Sequence, residues 1–296
     1  MRKIFLIVKL IVLVFLVVLA VRLTSMRPSK THPQKAQIVV SGYVPYTLVK
    51  QLSGGTLPVT MLMPPNAEPH SFEPSPGVLV GLQQAAGFVY ISDELEPWAK
   101  DLRGALKKGT PVVVLSNAVP ATQEMHPWMN LDNAPAMARA VAELLAQLSP
   151  ENQDLYARNL QDFNAQIAAL KTNFEMLENC PNKEVVHIGH LAFTALTEPY
   201  GLHLTALSGT SHEGEHSARK LAELTKQIKQ SGVKTIFTEE TLSGRLAQAV
   251  AQETGAQILP LYTIEHVSKD DFTNNVTYAQ LMQRNLDNLK RGLACP

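Results

Sequence analysis

The 28 residues from Glu151 to Glu178 contain neither Gly nor Pro, and no other stretch constrains the fold as strongly. Ser149-Pro150 precedes them, with Pro at a first-turn position where its missing N–H costs nothing. The stretch therefore reads as one helix, which at about 1.5 Å per residue spans roughly 42 Å. That exceeds an ordinary crossover between neighbouring strands. At mid-chain, such a helix is expected to act as a rigid spine joining two lobes. A shorter helix before it, with Asp132-Asn133 as its cap, is expected to end near Leu148.

On both sides of the spine, short β-rich runs alternate with amphipathic stretches. QIVVSG (37–42), PVTMLM (58–63), GFVYIS (87–92) and PVVVLS (111–116) precede it. EVVHIG (184–189), LHLTAL (202–207), KTIFTE (234–239) and AQILPL (256–261) follow. Helical patterns fall at about 45–53, 76–86, 97–107, 191–199, 217–231, 243–254 and 277–292. Apolar strands separated by helices mark parallel βαβ units. The expected fold class is α/β: two lobes, each with a four-stranded, mainly parallel sheet flanked by helices, facing each other across a cleft. Residues 37–148 would form the first lobe, 149–179 the linking helix and 180–296 the second lobe. The two halves share an architecture without a sequence-level repeat.

The balance of 26 basic and 26 acidic groups hides an uneven distribution. Residues 1–30 hold six bases and no acid, and the other 266 carry 20 basic and 26 acidic groups, a net of −6. A mildly acidic body gives no case for nucleic acid, which asks for a basic face. The basic amino end includes an apolar run of 11 residues, Leu10 to Ala20, behind Arg2, Lys3 and Lys9. That pattern is a secretory signal. Residues 1–20 are read as a signal peptide or an uncleaved anchor, residues 21–36 as a tether, and the periplasm as the destination. No Cys follows the apolar run, so lipid attachment is not expected there. Cys180 and Cys295 are the only two cysteines; in an oxidising compartment they make either one bridge or two unpaired thiols.

Three histidines occupy telling places. His70 lies in the loop after the second strand, His126 in the loop after the fourth, and His190 directly after the first strand of the second lobe. Ligands of open parallel sheets sit beyond the carboxyl ends of the strands, so three imidazoles from both lobes are candidates to meet in the cleft. Each neutral imidazole offers one lone pair to a metal. No compact motif such as H-E-x-x-H is present.

Four segments carry a resemblance. PPNAEPHSFEPSP (64–76), EMHPWMNLDNA (124–134), HLAFTALTEPYGL (190–202) and VKTIFTEETLSGRLAQAVAQETGAQIL (233–259) resemble, in order, stretches of the zinc/manganese solute-binding proteins of ABC transporters, the cluster A-I family. The resemblance covers about residues 37–293. It implies two lobes bridged by a long helix, a metal held in the cleft, and His70, His126 and His190 as three ligands. The family often supplies a fourth from an acidic segment after the last strand. Here that segment reads LPLYTIE (259–265), with Tyr262 on the acidic position, and a phenol of pKa near 10 is a poor ligand. Water or Glu68, two residues before His70, is expected to close the set instead. Glu239 takes the place of a supporting family carboxylate behind the ligands. Asn130 and Glu124-Met125 depart from the family's pattern.

The loop GTSHEGEHS (209–217) gathers His212 and His216 with Glu213 and Glu215. It reads as a solvated helix cap or as an auxiliary metal-acquisition site. His187 sits within a strand and is expected to alternate into the core. Gly-x-Ser-x-Gly, P-loop and dinucleotide fingerprints are absent, so binding is expected rather than catalysis. With three imidazoles and no certain carboxylate, Zn(II) is expected over Mn(II). The expected function is an exported, monomeric receptor delivering Zn(II) to the permease and ATPase of an ABC importer. The alternatives are a zinc hydrolase, which would need Glu68 as general base, and a periplasmic metal chaperone or adhesin without a transporter.

Overall fold

The computed structural model describes residues 37–120, 124–209, 218–239 and 244–296. The expected signal and tether, His212, His216 and the rest of the 210–217 loop lie outside the described residues. In chain order, the first half comprises β1 (Gln37–Val40), α1 (Tyr43–Ser53), β2 (Val59–Met61), α2 (Pro76–Leu82), β3 (Ala85–Tyr90), α3 (Pro97–Leu102), β4 (Val112–Val114) and α4 (Ala134–Leu148). The spine is α5 (Gln153–Glu175). After it come β5 (Glu184–Ile188), α6 (Thr194–Thr197), β6 (His203–Ala206), α7 (Ala218–Ser231), β7 (Thr235–Glu239), α8 (Arg245–Thr254), β8 (Gln257–Leu261), α9 (Lys269–Thr273) and α10 (Tyr278–Gly292).

Both sheets are four-stranded and parallel, with orders β2-β1-β3-β4 and β6-β5-β7-β8. Val, Ile and Phe fill the central strands because a parallel sheet covered by helices buries both faces. Every strand's carboxyl end is then free to feed a loop, and those loops carry the site.

The spine explains why the halves do not behave as separate bodies. Tyr156, Phe163, Ile167, Leu170 and Phe174, at spacings of seven, four, three and four residues, lie along one helix stripe and are buried, each contributing about 1.5–3 kcal/mol by leaving water. They join one core that also contains Ile38, Val44 and Leu48 from the first half and Val185, Leu261 and Leu286 from the second. Smaller clusters cover the outer faces of the sheets, around Phe88 and Trp98 on one side and Val186, Ile228 and Val250 on the other. Among the described residues, no helix is long and apolar enough to cross a membrane.

Several boundaries differ from the sequence expectation for local reasons. The α-helical part of the spine has 23 residues, flanked by 3-10 turns at Pro150–Asn152 and Met176–Asn179. Asn133 precedes α4 without capping it; its amide donates to the Pro127 carbonyl at 2.9 Å and braces the turn after His126. Helix α3 gives way to a 3-10 turn at Arg103–Ala105, which contains Gly104. Helix α9 was not anticipated, although Ser268 caps it by accepting the Asp271 N–H at 3.0 Å. A full capping box of Thr277 and Gln280 starts α10.

Cys180 and Cys295 form a disulfide across a separation of 115 residues. It fastens the chain end beside the start of β5, at the opposite end of that strand from His190. Closing a loop of this size restricts the unfolded chain, and removing such a bond costs about 2–5 kcal/mol. Urea unfolding with and without a phosphine reductant, and of the Cys180→Ser/Cys295→Ser double variant, is expected to show that loss in both cases. Coincident transitions for oxidised and reduced protein would contradict it.

Candidate metal centre

Four loops at strand ends converge in the cleft. The loop after β2 is Pro-rich and extended, and Trp98 holds it: the indole N–H donates to the Pro69 carbonyl at 2.9 Å, and Phe72 packs edge-on at 4.9 Å. This sets His70. From the opposite lobe, the Val267 N–H donates to the Pro65 carbonyl at 2.7 Å and ties the same loop across the cleft. His126 precedes a 3-10 turn, Pro127–Met129. There Trp128 packs against the His126 ring at 5.3 Å and donates to the Thr263 carbonyl at 2.7 Å. His190 follows β5 through Gly189.

The structure brings the three histidines together and adds Glu265. One ligand atom from each of His70, His126, His190 and Glu265 lies within 4.8 Å of the others. The Nε2 atoms of His126 and His190 are 3.1 Å apart. Glu265 Oε1 lies 3.0 Å from His126 Nε2 and 3.6 Å from His70 Nε2, and its Oε2 lies 3.4 Å from His190 Nε2. Yet Oε1, Oε2 and His70 Nε2 are buried without a hydrogen-bond partner among the described residues. At these distances the groups are aimed at a common point rather than at one another. Three unsatisfied buried polar atoms in one place are costly, and a cation at that point would satisfy all three.

Glu265 corrects the sequence reading of the fourth group. Tyr262 turns away: its backbone exchanges hydrogen bonds with the Asn285 side chain, and Arg284 stacks over its ring at 5.5 Å. Glu68 accepts the His70 backbone N–H at 3.2 Å, while its carboxylate stays 4.0 Å from His70 Nε2 and outside the converging set. One signal for Glu265 was present, since it is the only acidic residue in the loop directly after β8, residues 262–267. Its approach uses an unusual backbone, because Ile264, fully buried, has a φ of 66°, a left-handed conformation that β-branched residues rarely adopt.

Two carboxylates stand behind the imidazoles. Glu239 Oε1 lies 2.8 Å from His190 Nδ1 and also accepts the His190 backbone N–H at 3.0 Å. Glu124 Oε1 does the same for His126, at 3.2 Å from Nδ1 and 2.9 Å from the backbone nitrogen. In each case Nδ1–H points to the carboxylate, which turns Nε2 toward the cleft. Burial alone would lower both histidines, but the neighbouring carboxylates win. His126 is raised, and Glu239 and Glu265 lift His190 to about 10. For Glu265, burial would raise the carboxyl, yet the histidines, led by His126, hold it well below its ordinary value. His187 lies in the core as expected, its Nδ1 3.1 Å from the His190 carbonyl and its ring edge-on to Phe193.

A family model described as zinc-uptake complex component A, periplasmic, matches residues 38–292. The high-affinity zinc uptake system protein ZnuA of Bacillus subtilis is 28% identical over 280 residues, 88% of each chain. The zinc-binding lipoprotein AdcA of Streptococcus pneumoniae is 28% identical over 279 residues, 87% of this chain but 56% of the longer relative. Its Zn(II)-bound ZnuA-like domain superposes with a TM-score of 0.77, covering 88% of this chain and 99% of the domain at 29% identity. Laminin-binding protein Lmb of Streptococcus agalactiae, described as an adhesin with metal-transporting activity, gives 0.78 at 31% identity over 87% and 99% of the two chains.

Gly189 is where the geometry tolerates least. A Cβ there would stand 2.3 Å from Glu239 Oε1 and 2.4 Å from His187 Cε1. Gly189→Ala is expected to push Glu239 off His190 and to destabilise the protein by about 1–3 kcal/mol, as core overpacking does. Gly81→Ala, with nothing within 4 Å of the added methyl, is the control expected to leave thermal unfolding unchanged or slightly raised. Equal melting for Gly189→Ala and wild type would refute the close approach.

Proposed function

The chain belongs to the family of periplasmic zinc-uptake components, and from that premise we propose that it is an exported receptor that captures Zn(II) in the cleft and hands it to an ABC importer. His70, His126, His190 and Glu265 are its proposed ligands. One observation carries the reading. Tetrahedral Zn(II) holds nitrogen and oxygen donors at about 2.0–2.1 Å, which puts the donors about 3.3 Å apart. The contacts between Glu265 and the three imidazoles, and between His126 and His190, run from 3.0 to 3.6 Å. Three imidazoles with a single carboxylate suit Zn(II) better than Mn(II), which favours oxygen-rich sites. The same donor set argues for a receptor over a hydrolase, because catalytic zinc keeps a position open for water and here Glu265 supplies the fourth donor. Zinc-binding relatives and the basic, apolar amino-terminal segment support capture outside the cytoplasm. The proposed partners are the permease and ATPase of the importer, with the chain acting as a monomer.

A ligand that binds only the native state stabilises it by about 4.1 kcal/mol at a thousandfold excess over its Kd. Thermal unfolding is expected to show a large Zn(II)-induced shift in wild type. The shift should collapse in His70→Ala, His126→Ala, His190→Ala and Glu265→Ala. It should persist in Tyr262→Phe, His212→Ala and His216→Ala. Trp128, packed on His126, gives an independent fluorescence titration. Loss of the shift in the His212 and His216 variants, with His190→Ala unaffected, would move the site to the 209–217 loop.

Zinc also competes with protons. A metal-bound imidazole must give up the proton on its donor nitrogen, and His190 keeps its extra proton up to about pH 10 in the metal-free protein. Binding at pH 7 is therefore expected to release protons, and affinity to fall as the solution is acidified. Calorimetry in buffers of different ionisation enthalpy checks the sign: the observed enthalpy should vary with the buffer as net proton release requires. An enthalpy independent of buffer would contradict the assignment.

A further inference from the structure

The two supporting carboxylates differ in their surroundings. Glu239 is buried with His190, its side chain fully hidden. Glu124 keeps 19% of its side chain exposed while the imidazole it holds is fully buried. It lines an open groove of about 880 Å³ that crosses from the first half of the chain to the second and includes Asn130, Leu191 and Glu198. His126 is thus the proposed ligand whose support stands at the water's edge, and Glu124 is the side chain that meets its Nδ1, at 3.2 Å.

We propose that Glu124 is a positioning residue for zinc capture: it fixes His126 with Nδ1–H inward to its carboxylate and Nε2 toward the metal, and its loss speeds zinc release. The inference rests on the zinc-receptor reading. The geometry supports it through two contacts to one oxygen, because Oε1 receives both the backbone N–H and the ring N–H of His126. Side chain and backbone are locked together, so the ring is held against rotation about both χ angles. Without that brace, His126 must be ordered by the metal itself. Carboxylates behind a metal-bound histidine typically contribute a factor of about 10–100 in affinity, and most of such a change appears in the dissociation rate.

The test compares wild type, Glu124→Ala, Glu124→Asp and, from the same groove, Glu198→Gln. Zinc affinity is measured by chelator competition and release by stopped-flow mixing with excess chelator. The Hδ1 resonance of His126 is followed by proton NMR in the zinc-loaded protein. Glu124→Ala is expected to bind zinc about 10–100-fold more weakly, through faster release, and to lose the exchange-protected Hδ1 signal. Glu124→Asp should recover part of both, and Glu198→Gln should match wild type. Metal-free melting curves and far-UV circular dichroism, expected to be unchanged, separate positioning from misfolding. Wild-type affinity and an intact Hδ1 signal in Glu124→Ala would overturn the inference while leaving the receptor reading standing. Absence of zinc binding by wild type would overturn both.

Discussion

A fully buried carboxylate surrounded by imidazoles is the interaction on which the rest of the architecture depends. Stripping Glu265 of water is expensive, and an isolated charge there would neutralise itself instead. It stays ionised because His70, His126 and His190 approach from three sides. His126 and His190 in turn have counter-charges in Glu124 and Glu239, which meet their Nδ1 atoms from outside the cluster. Alternating charge in shells lets a cation-shaped space exist inside a protein.

Such a cluster requires backbone that does not drift. Each half of the chain contributes a parallel sheet whose strand ends point into the cleft, and each loop is pegged by a group outside it. Trp98 holds the loop of His70 within its own half. Trp128 holds the loop of His126 to Thr263, two residues before Glu265, in the other half. The link from Val267 to Pro65 runs in the reverse direction. Together with the core threaded through the spine, these ties bind the loops of the two halves to each other across the cleft.

Much of this was legible in the chain. β-branched runs and the unbroken stretch after Pro150 announced strands and spine, because burial on both faces of a parallel sheet and along one helix stripe leaves plain periodicities. The three histidines were placed by the same topology, each after a strand. Glu265 was overlooked because alignment to a motif put Tyr262 on the acidic position. The chain reaches Glu265 through left-handed backbone at Ile264, which no propensity anticipates for a β-branched residue. The role of Asn133 was misread for a similar reason: its side chain had a competing acceptor in the Pro127 carbonyl, visible only once the turn exists. Glu124 stood out only as a departure from the family's pattern, since its partner is set by a two-residue turn.

The closing helix has a consequence for the order in which the molecule acquires its structure. Tyr278, near the carboxyl end, donates to the Trp128 carbonyl, and its backbone N–H reaches Thr47. Tyr43 donates to the Val276 carbonyl, 233 residues away. Leu281, Leu286 and Leu289 complete the core that begins at Ile38. The first sheet therefore lacks part of its cover until α10 has been synthesised and docked. High contact order of this kind slows folding, and a nascent chain halted before residue 278 would hold its first half loose and unfinished. The core cannot close until Tyr278–Gly292 has left the ribosome.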